Sequence, residues 1–208
     1  MISFDEIKKY LPQYLSSSSQ EELFKDLKGF PDNIDQRLFS PKLLDHDRIY
    51  QGDGIKGLMV NNFPSTETKG LPAIVFSNTC DVNPENSRFF SSRIVYSPIF
   101  KLDKYKHMLI KEFVDTGKHT QEAINHHIEA IKKQLITQII FLPKGSKLQD
   151  DSIVFLDRVN NYPLGEMSVE DVKRNRLFVL SNYGLYIFLI KLSIHFTRIQ
   201  ENVDRLVE

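Results

Sequence analysis

The sequence has a single cysteine, Cys80, no tryptophan, no excess charge of either sign and no long apolar run. One cysteine excludes an intramolecular disulfide and any structural zinc site built on cysteine pairs. Its 208 residues carry 27 basic and 27 acidic side chains. That balance removes the electrostatic case for coating long nucleic acid or lying on an anionic membrane, though not for a local basic groove. The uncharged stretch at 177–190 contains Ser181, Asn182 and Gly184 and is too short and too polar to span a bilayer. The opening residues are charged from Asp5 onward and lack the apolar core of a signal peptide, so the chain is read as a soluble cytoplasmic protein. What is present is ordinary for a globular chain: 41% hydrophobic residues, with 15 Phe and 8 Tyr supplying the large side chains.

Residues 1–45 have helical periodicity. Phe4, Ile7, Tyr10, Leu11, Tyr14 and Leu15 recur at three- and four-residue spacing, with Pro12 as a break or kink. Serines at 16–19 followed by Glu21 and Glu22 predict a short capped helix over 22–28, and Gly29, Pro31 and Pro41 punctuate the rest. This stretch is read as an N-terminal helical arm packed on the main domain, or as an extension for a partner. The main domain, 46–208, opens with strands expected at 55–63, 72–78 and 93–100, the last two separated by a polar loop. A helical insertion follows at about 101–136. Thr120 starts a helix there whose apolar positions are Ile124, Ile128, Ile131 and Leu135. Strands resume at 137–142, 152–159 and 176–181. A long C-terminal helix begins near Asn182, with a stripe of Leu185, Phe188, Leu189, Leu192, Phe196, Ile199, Val203 and Leu206. Five or six short strands without regular strand–helix alternation predict the α+β class and a small, mainly antiparallel barrel.

The order of these pieces resembles the MazF/PemK family of SH3-like barrel proteins, known mostly as toxin endoribonucleases, over roughly residues 52–206. Gly52-Asp53 followed by Ile55 resembles the family's "GDI". Leu71-Pro72-Ala73-Ile74-Val75-Phe76-Ser77 resembles its "RPxxVxS" strand, and Val95-Tyr96-Ser97-Pro98-Ile99 the strand ending in "PIT". Ile153-Val154-Phe155-Leu156-Asp157-Arg158-Val159 resembles "VLLDQI". The resemblance implies an SH3-like barrel, a place in a bacterial toxin–antitoxin or phage-defence system, and a homodimer unless the 101–136 insertion blocks it. It also implies an active site that this chain does not repeat. The arginine before the proline and the threonine closing "PIT" are assigned to RNA cleavage in the family, and those positions are Leu71 and Phe100 here. Leucine and phenylalanine neither stabilise charge on a phosphorane nor move a proton.

Other residues remain as candidates. Ser77-Asn78-Thr79-Cys80-Asp81 closes the most apolar strand. Turn chemistry and a buried cysteine are its plain reading. The catalytic alternative sets Cys80 and Asp81 against His195, the best placed of six histidines to point inward from the last helix. Adjacent His126 and His127 cannot share a helix face and are read as solvated surface. Arg158 is suited to a phosphate or to an ion pair, with Asp157 to orient it. The binding candidates are Asn78, Thr79, Arg88, Arg93, Asp157, Arg158, Asn160 and Arg176, with a groove if folding gathers the four arginines. The function expected is a non-catalytic binding module whose partner is a protein, a second copy, RNA or a nucleotide, using the face beside the 77–93 loop. No cofactor, metal or membrane enters that expectation. The alternative is an endoribonuclease-type toxin with a rebuilt site, or a thiol-dependent enzyme using Cys80.

Overall fold

The structure, a computed structural model, describes residues 15–62, 64–83, 85–86 and 89–197. The periodicity of Phe4 to Tyr14, the stripe positions Ile199, Val203 and Leu206, and the candidate Arg88 lie outside the described residues.

Ser16 opens the first described helix. Its Oγ accepts the Ser19 N–H at 3.2 Å, so α1 runs over Ser17–Lys28 and starts earlier than the two glutamates suggested. Leu23 of α1 packs on Tyr183 and Ile187 of the C-terminal helix. A single-turn helix α2 (Ile34–Arg37) leads into a two-residue strand, β1 (Phe39–Ser40), so the first stretch also contributes to the sheet.

The remaining strands are β2 (Gly54–Asn61), β3 (Thr68–Val75), β4 (Arg93–Lys101), β5 (Ile139–Leu142), β6 (Ser152–Phe155), β7 (Asn160–Pro163) and β8 (Arg176–Leu180). Helix α3 (Leu102–Leu109) runs into a π turn at Ile110–Val114, followed by α4 (Gln121–Lys132), α5 (Val169–Asn175) and α6 (Asn182–Thr197). The strands form an open sheet in the order β1-β8-β2-β3-β4-β6-β5, with β7 also on β4, and every pairing is antiparallel. The class is α+β. Eight strands replace the expected five or six. The additions are β1 and β7, and the run at 152–159 ends as a strand at Phe155. Gly57, at φ 80°, makes the bulge that shifts the β2–β3 register between Ile55 and Leu58.

Strand alternation feeds two cores. Ala73 and Val75 of β3 join Ile55, Leu58, Ile94 and Tyr96, while Ile74 and Phe76 join the larger cluster containing Phe178, Phe188 and the inserted helices. Ile124, Ile128 and Ile131 of α4 are buried as their spacing predicts, but Leu135 is 66% exposed. The helix stops at Lys132, and Gln134, at φ 60°, turns the chain. Gln134 then covers the outer edge of β5: its Nε2 donates to Phe141 O at 2.7 Å and its Oε1 accepts the Phe141 N–H at 3.2 Å. A side-chain amide thus takes the place of a further strand. Buried Lys191 of α6 holds the same turn, donating from Nζ to Gln134 O (3.0 Å) and Ile136 O (2.7 Å). Gly184 lets α6 approach β1. A Cβ there would lie 2.2 Å from Leu38 O. Phe196, expected on the buried stripe, is 59% exposed. Among the described residues no helix is long and apolar enough to cross a membrane.

Candidate functional site

The break between β6 and β7 creates the most distinctive surface feature. Nine-residue β4 pairs with β7 along its first half and β6 along its second, so the chain must cross at 156–159. Buried Leu156 anchors the crossing, its N–H donating to Gln138 O at 2.9 Å. Ser97 Oγ reaches Phe155 O (2.7 Å) and Arg158 O (3.2 Å) from β4. Asn160 completes the support: its Oδ1 accepts the Asn61 N–H at 2.9 Å and its Nδ2 donates to Arg158 O at 3.3 Å.

Arg158 leaves this rigid crossing with its guanidinium 4.0 Å from the Phe155 ring centroid and 5.2 Å from that of Phe100. The two rings meet edge-on at 5.9 Å, and Tyr105 of α3 packs edge-on against Phe155 at 5.5 Å. The Tyr105 hydroxyl is hydrogen-bonded to His127 Nε2 of α4 at 3.0 Å. Burial pushes the Tyr105 hydroxyl up while Arg158 pulls it back, and burial pushes His127 down, which keeps its imidazole neutral at neutral pH. A cation over an exposed ring gains about 0.5–1 kcal/mol, which favours this placement of the guanidinium about two- to fivefold. Arg158 side-chain donors have no hydrogen-bond or ion-pair partner among the described residues. The other described arginines are all engaged: Arg37 with Asp26, Arg48 with Glu85, Arg93 with Asn161, Arg174 with Asp171 and Arg176 with Asp53.

The four arginines do not form one groove. Arg93 is exposed at the start of β4, its Nε donating to Asn161 Oδ1. Arg176, expected in a binding groove, is instead buried, with 0% side-chain exposure, as is its partner Asp53. Its Nε donates to Asp53 Oδ2 at 3.1 Å, and Nη2 lies 3.0 Å from the same oxygen. Nη1 donates to Leu43 O (3.2 Å), Leu44 O (3.1 Å) and His46 O (2.6 Å), and Nη2 donates to Arg48 O. No donor remains for a phosphate. Asp53 Oδ1 has no hydrogen-bond partner among the described residues, and burial pushes this carboxyl up to about 6 against the pull of Arg176 and the Tyr50 N–H. An arginine opening the otherwise apolar RLFVL strand was the available clue to a buried clamp.

The Cys80 loop is held by two bonds within it and one to the turn before β2. Asn78 Oδ1 accepts the Cys80 N–H at 2.9 Å, Thr79 Oγ1 accepts the Gln51 N–H at 3.0 Å, and Asn86 Nδ2 donates to Cys80 O at 2.5 Å. Cys80 itself is exposed, not buried as cysteine usually is, because the loop turns its side chain outward. His195 sits near the end of α6 against Phe196, ring centroids 4.8 Å apart, and no hydrogen bond joins it to Cys80 among the described residues. Asp81 lies in the turn, its N–H on Asn78 O at 2.9 Å. Asp157 is exposed next to Arg158 and forms no ion pair with it. Leu71 packs on the smaller core and Phe100 on the larger one. Among the described residues no three His, Cys, Asp or Glu side chains converge to hold a metal.

No protein-family model matches the chain, and a search of curated proteins finds no match.

Proposed function

We propose that this chain is a non-catalytic binding module on an SH3-like, MazF/PemK-like barrel, serving a bacterial toxin–antitoxin or phage-defence system, with single-stranded RNA or a nucleotide as its ligand. One observation carries the choice of ligand: Arg158 is exposed, its guanidinium lies 4.0 Å from the Phe155 ring centroid and 5.2 Å from that of Phe100, and its N–H groups have no partner among the described residues. An exposed guanidinium beside two aromatic rings brings together stacking surface for a base and a forked edge for a phosphate. Arg93 on neighbouring β4 adds a second exposed cation. Leucine and phenylalanine at 71 and 100, and the lack of a hydrogen bond between Cys80 and His195 among the described residues, support binding without cleavage.

The test is fluorescence anisotropy with labelled single-stranded RNA oligonucleotides and intact full-length chain. Arg158→Ala is expected to weaken binding by about 5–30-fold, corresponding to about 1–2 kcal/mol, and Arg158→Lys to recover only part of the loss because an ammonium neither stacks nor forks. Equal affinity for the parent and the alanine variant would reject the site. Shortened oligonucleotide on a denaturing gel would favour an endoribonuclease with a rebuilt centre instead.

A further inference from the structure

The segment after β1, the loop between β3 and β4 and the turn after β7 enclose a cleft of about 500 Å³. Polar bonds tie these walls together. The Leu164 N–H donates to Ser92 O at 3.0 Å and joins the turn to the loop, while Arg48 Nη2 donates to Glu85 Oε1 at 3.0 Å and joins the loop to the segment. Buried Ile49, Val82 and Val172 line the cleft from the core side, with half-buried Leu164 and Met167 beside them. Three charged side chains also line it. Arg48 is neutralised by Glu85, whereas Asp47 and Glu166 are exposed and have no ion pair among the described residues. The uncompensated charge of the lining is therefore negative, and it comes from two separate walls around an apolar floor.

A cleft of this volume matches sites for small molecules, whose lining is mostly apolar with a few polar groups that set orientation. We propose that it binds a small organic cation, an ammonium carried on an apolar body, with the body against Ile49, Val82 and Val172 and the ammonium at Asp47 and Glu166. Charge complementarity selects the cation: the lining repels an anion and gives a neutral ligand no ionic partner. Because both carboxylates are exposed, the ammonium keeps much of its water and avoids the desolvation cost of a buried charge. Each exposed ion pair adds little, so the apolar body supplies most of the affinity and the two acids supply the selectivity. Arg158 and its aromatic neighbours do not line this cleft, and the reading of their ligand does not enter the argument.

Two-dimensional amide NMR of the isotope-labelled full chain tests it, with phenethylammonium, phenethyl alcohol and phenylacetate as probes. The three share an aromatic body and differ in charge. Phenethylammonium is expected to bind with a Kd of about 1 mM or tighter and to shift the amides of Val82, Met167 and Val172. The alcohol should bind at least about threefold more weakly, and phenylacetate more weakly still. Glu166→Gln and Asp47→Asn should each weaken phenethylammonium about two- to fivefold and leave the alcohol unchanged. The double variant should bind the two probes alike. Both positions are exposed, so the variants should keep the parent's amide spectrum away from the cleft. An absence of shifts at the cleft up to about 10 mM phenethylammonium would overturn the proposal. Equal affinity of the parent for phenethylammonium and the alcohol would overturn it as well, and neither result bears on RNA binding at Arg158.

Discussion

Arg176→Met is expected to lower the free energy of unfolding by about 3–5 kcal/mol, the range for removing one partner of a buried ion pair. The loss is large because one guanidinium satisfies two kinds of need. It neutralises the buried Asp53 carboxylate, and it caps carbonyls of Leu43, Leu44, His46 and Arg48 on the segment that leads from β1 to β2. Methionine fills much of the volume but leaves those oxygens without donors. Lysine keeps the charge but cannot reach four carbonyls and a carboxylate from one nitrogen, so Arg176→Lys should also be strongly destabilised. The pH dependence identifies the cause. Asp53 is raised from 3.8 to about 6 by burial, so the folded state holds its proton more tightly than the unfolded chain. The stability that follows is fully present below about pH 3.8 and is lost as pH rises through about 6. Removing Arg176 removes a pull that lowers this carboxyl, which then rises further. The cost of the substitution in urea denaturation should therefore shrink between about pH 7.5 and about pH 5. A cost that stays constant over that range would show that the stranded carboxylate is not its source.

Lys191→Met should flatten the stability of the protein against pH on the alkaline side. Desolvation lowers the Lys191 ammonium from 10.5 to about 8, and its contacts are two carbonyls with no acid. The folded state thus binds this proton less tightly than the unfolded chain. Stability from this group is full above the unfolded value and is lost as pH falls through about 8. At about 1.4 kcal/mol per pH unit, the parent should gain up to about 3 kcal/mol from this group between about pH 8 and pH 10.5. Measurement is best confined below about pH 10, because burial raises Tyr96 and Tyr183 from 10.0 to about 12, and their ionisation acts in the opposite direction. The methionine variant should lack the alkaline gain. It should also free the Gln134 turn that covers the β5 edge, seen as faster amide exchange at Phe141. Parallel stability curves for parent and variant would place the charge penalty elsewhere.

The parts of this fold that were legible in the sequence are those that local patterning dictates. The isoleucines of α4 and the apolar runs of β3, β5 and β8 declare their burial directly. Elements that exist only through a distant partner were not legible. β1 is two residues long and depends on β8, while β7 is Asn-Asn-Tyr-Pro and depends on β4. Candidate residues divide the same way. Arg158 and Arg176 are equivalent as charges in a sequence, yet one terminates on two aromatic rings at the surface and the other inside the sheet on Asp53. Periodicity does not encode the strand break at Phe155 that separates those fates. Nor does it place His127 and Tyr105, 22 residues apart, in one hydrogen bond. Asn160, a candidate ligand contact in the sequence, also donates to the Arg158 carbonyl, a role its sequence position does not reveal.

The dependence of RNA affinity on salt, compared for the parent chain and Arg158→Ala, addresses the proposed function most directly. If Arg158 contacts a phosphate of single-stranded RNA, the parent's log–log slope should be negative, and the variant's should be shallower by about 0.7, the value for one phosphate contact on a single strand. Binding that is absent in the parent, or equal slopes and affinities for the two proteins, would contradict the account.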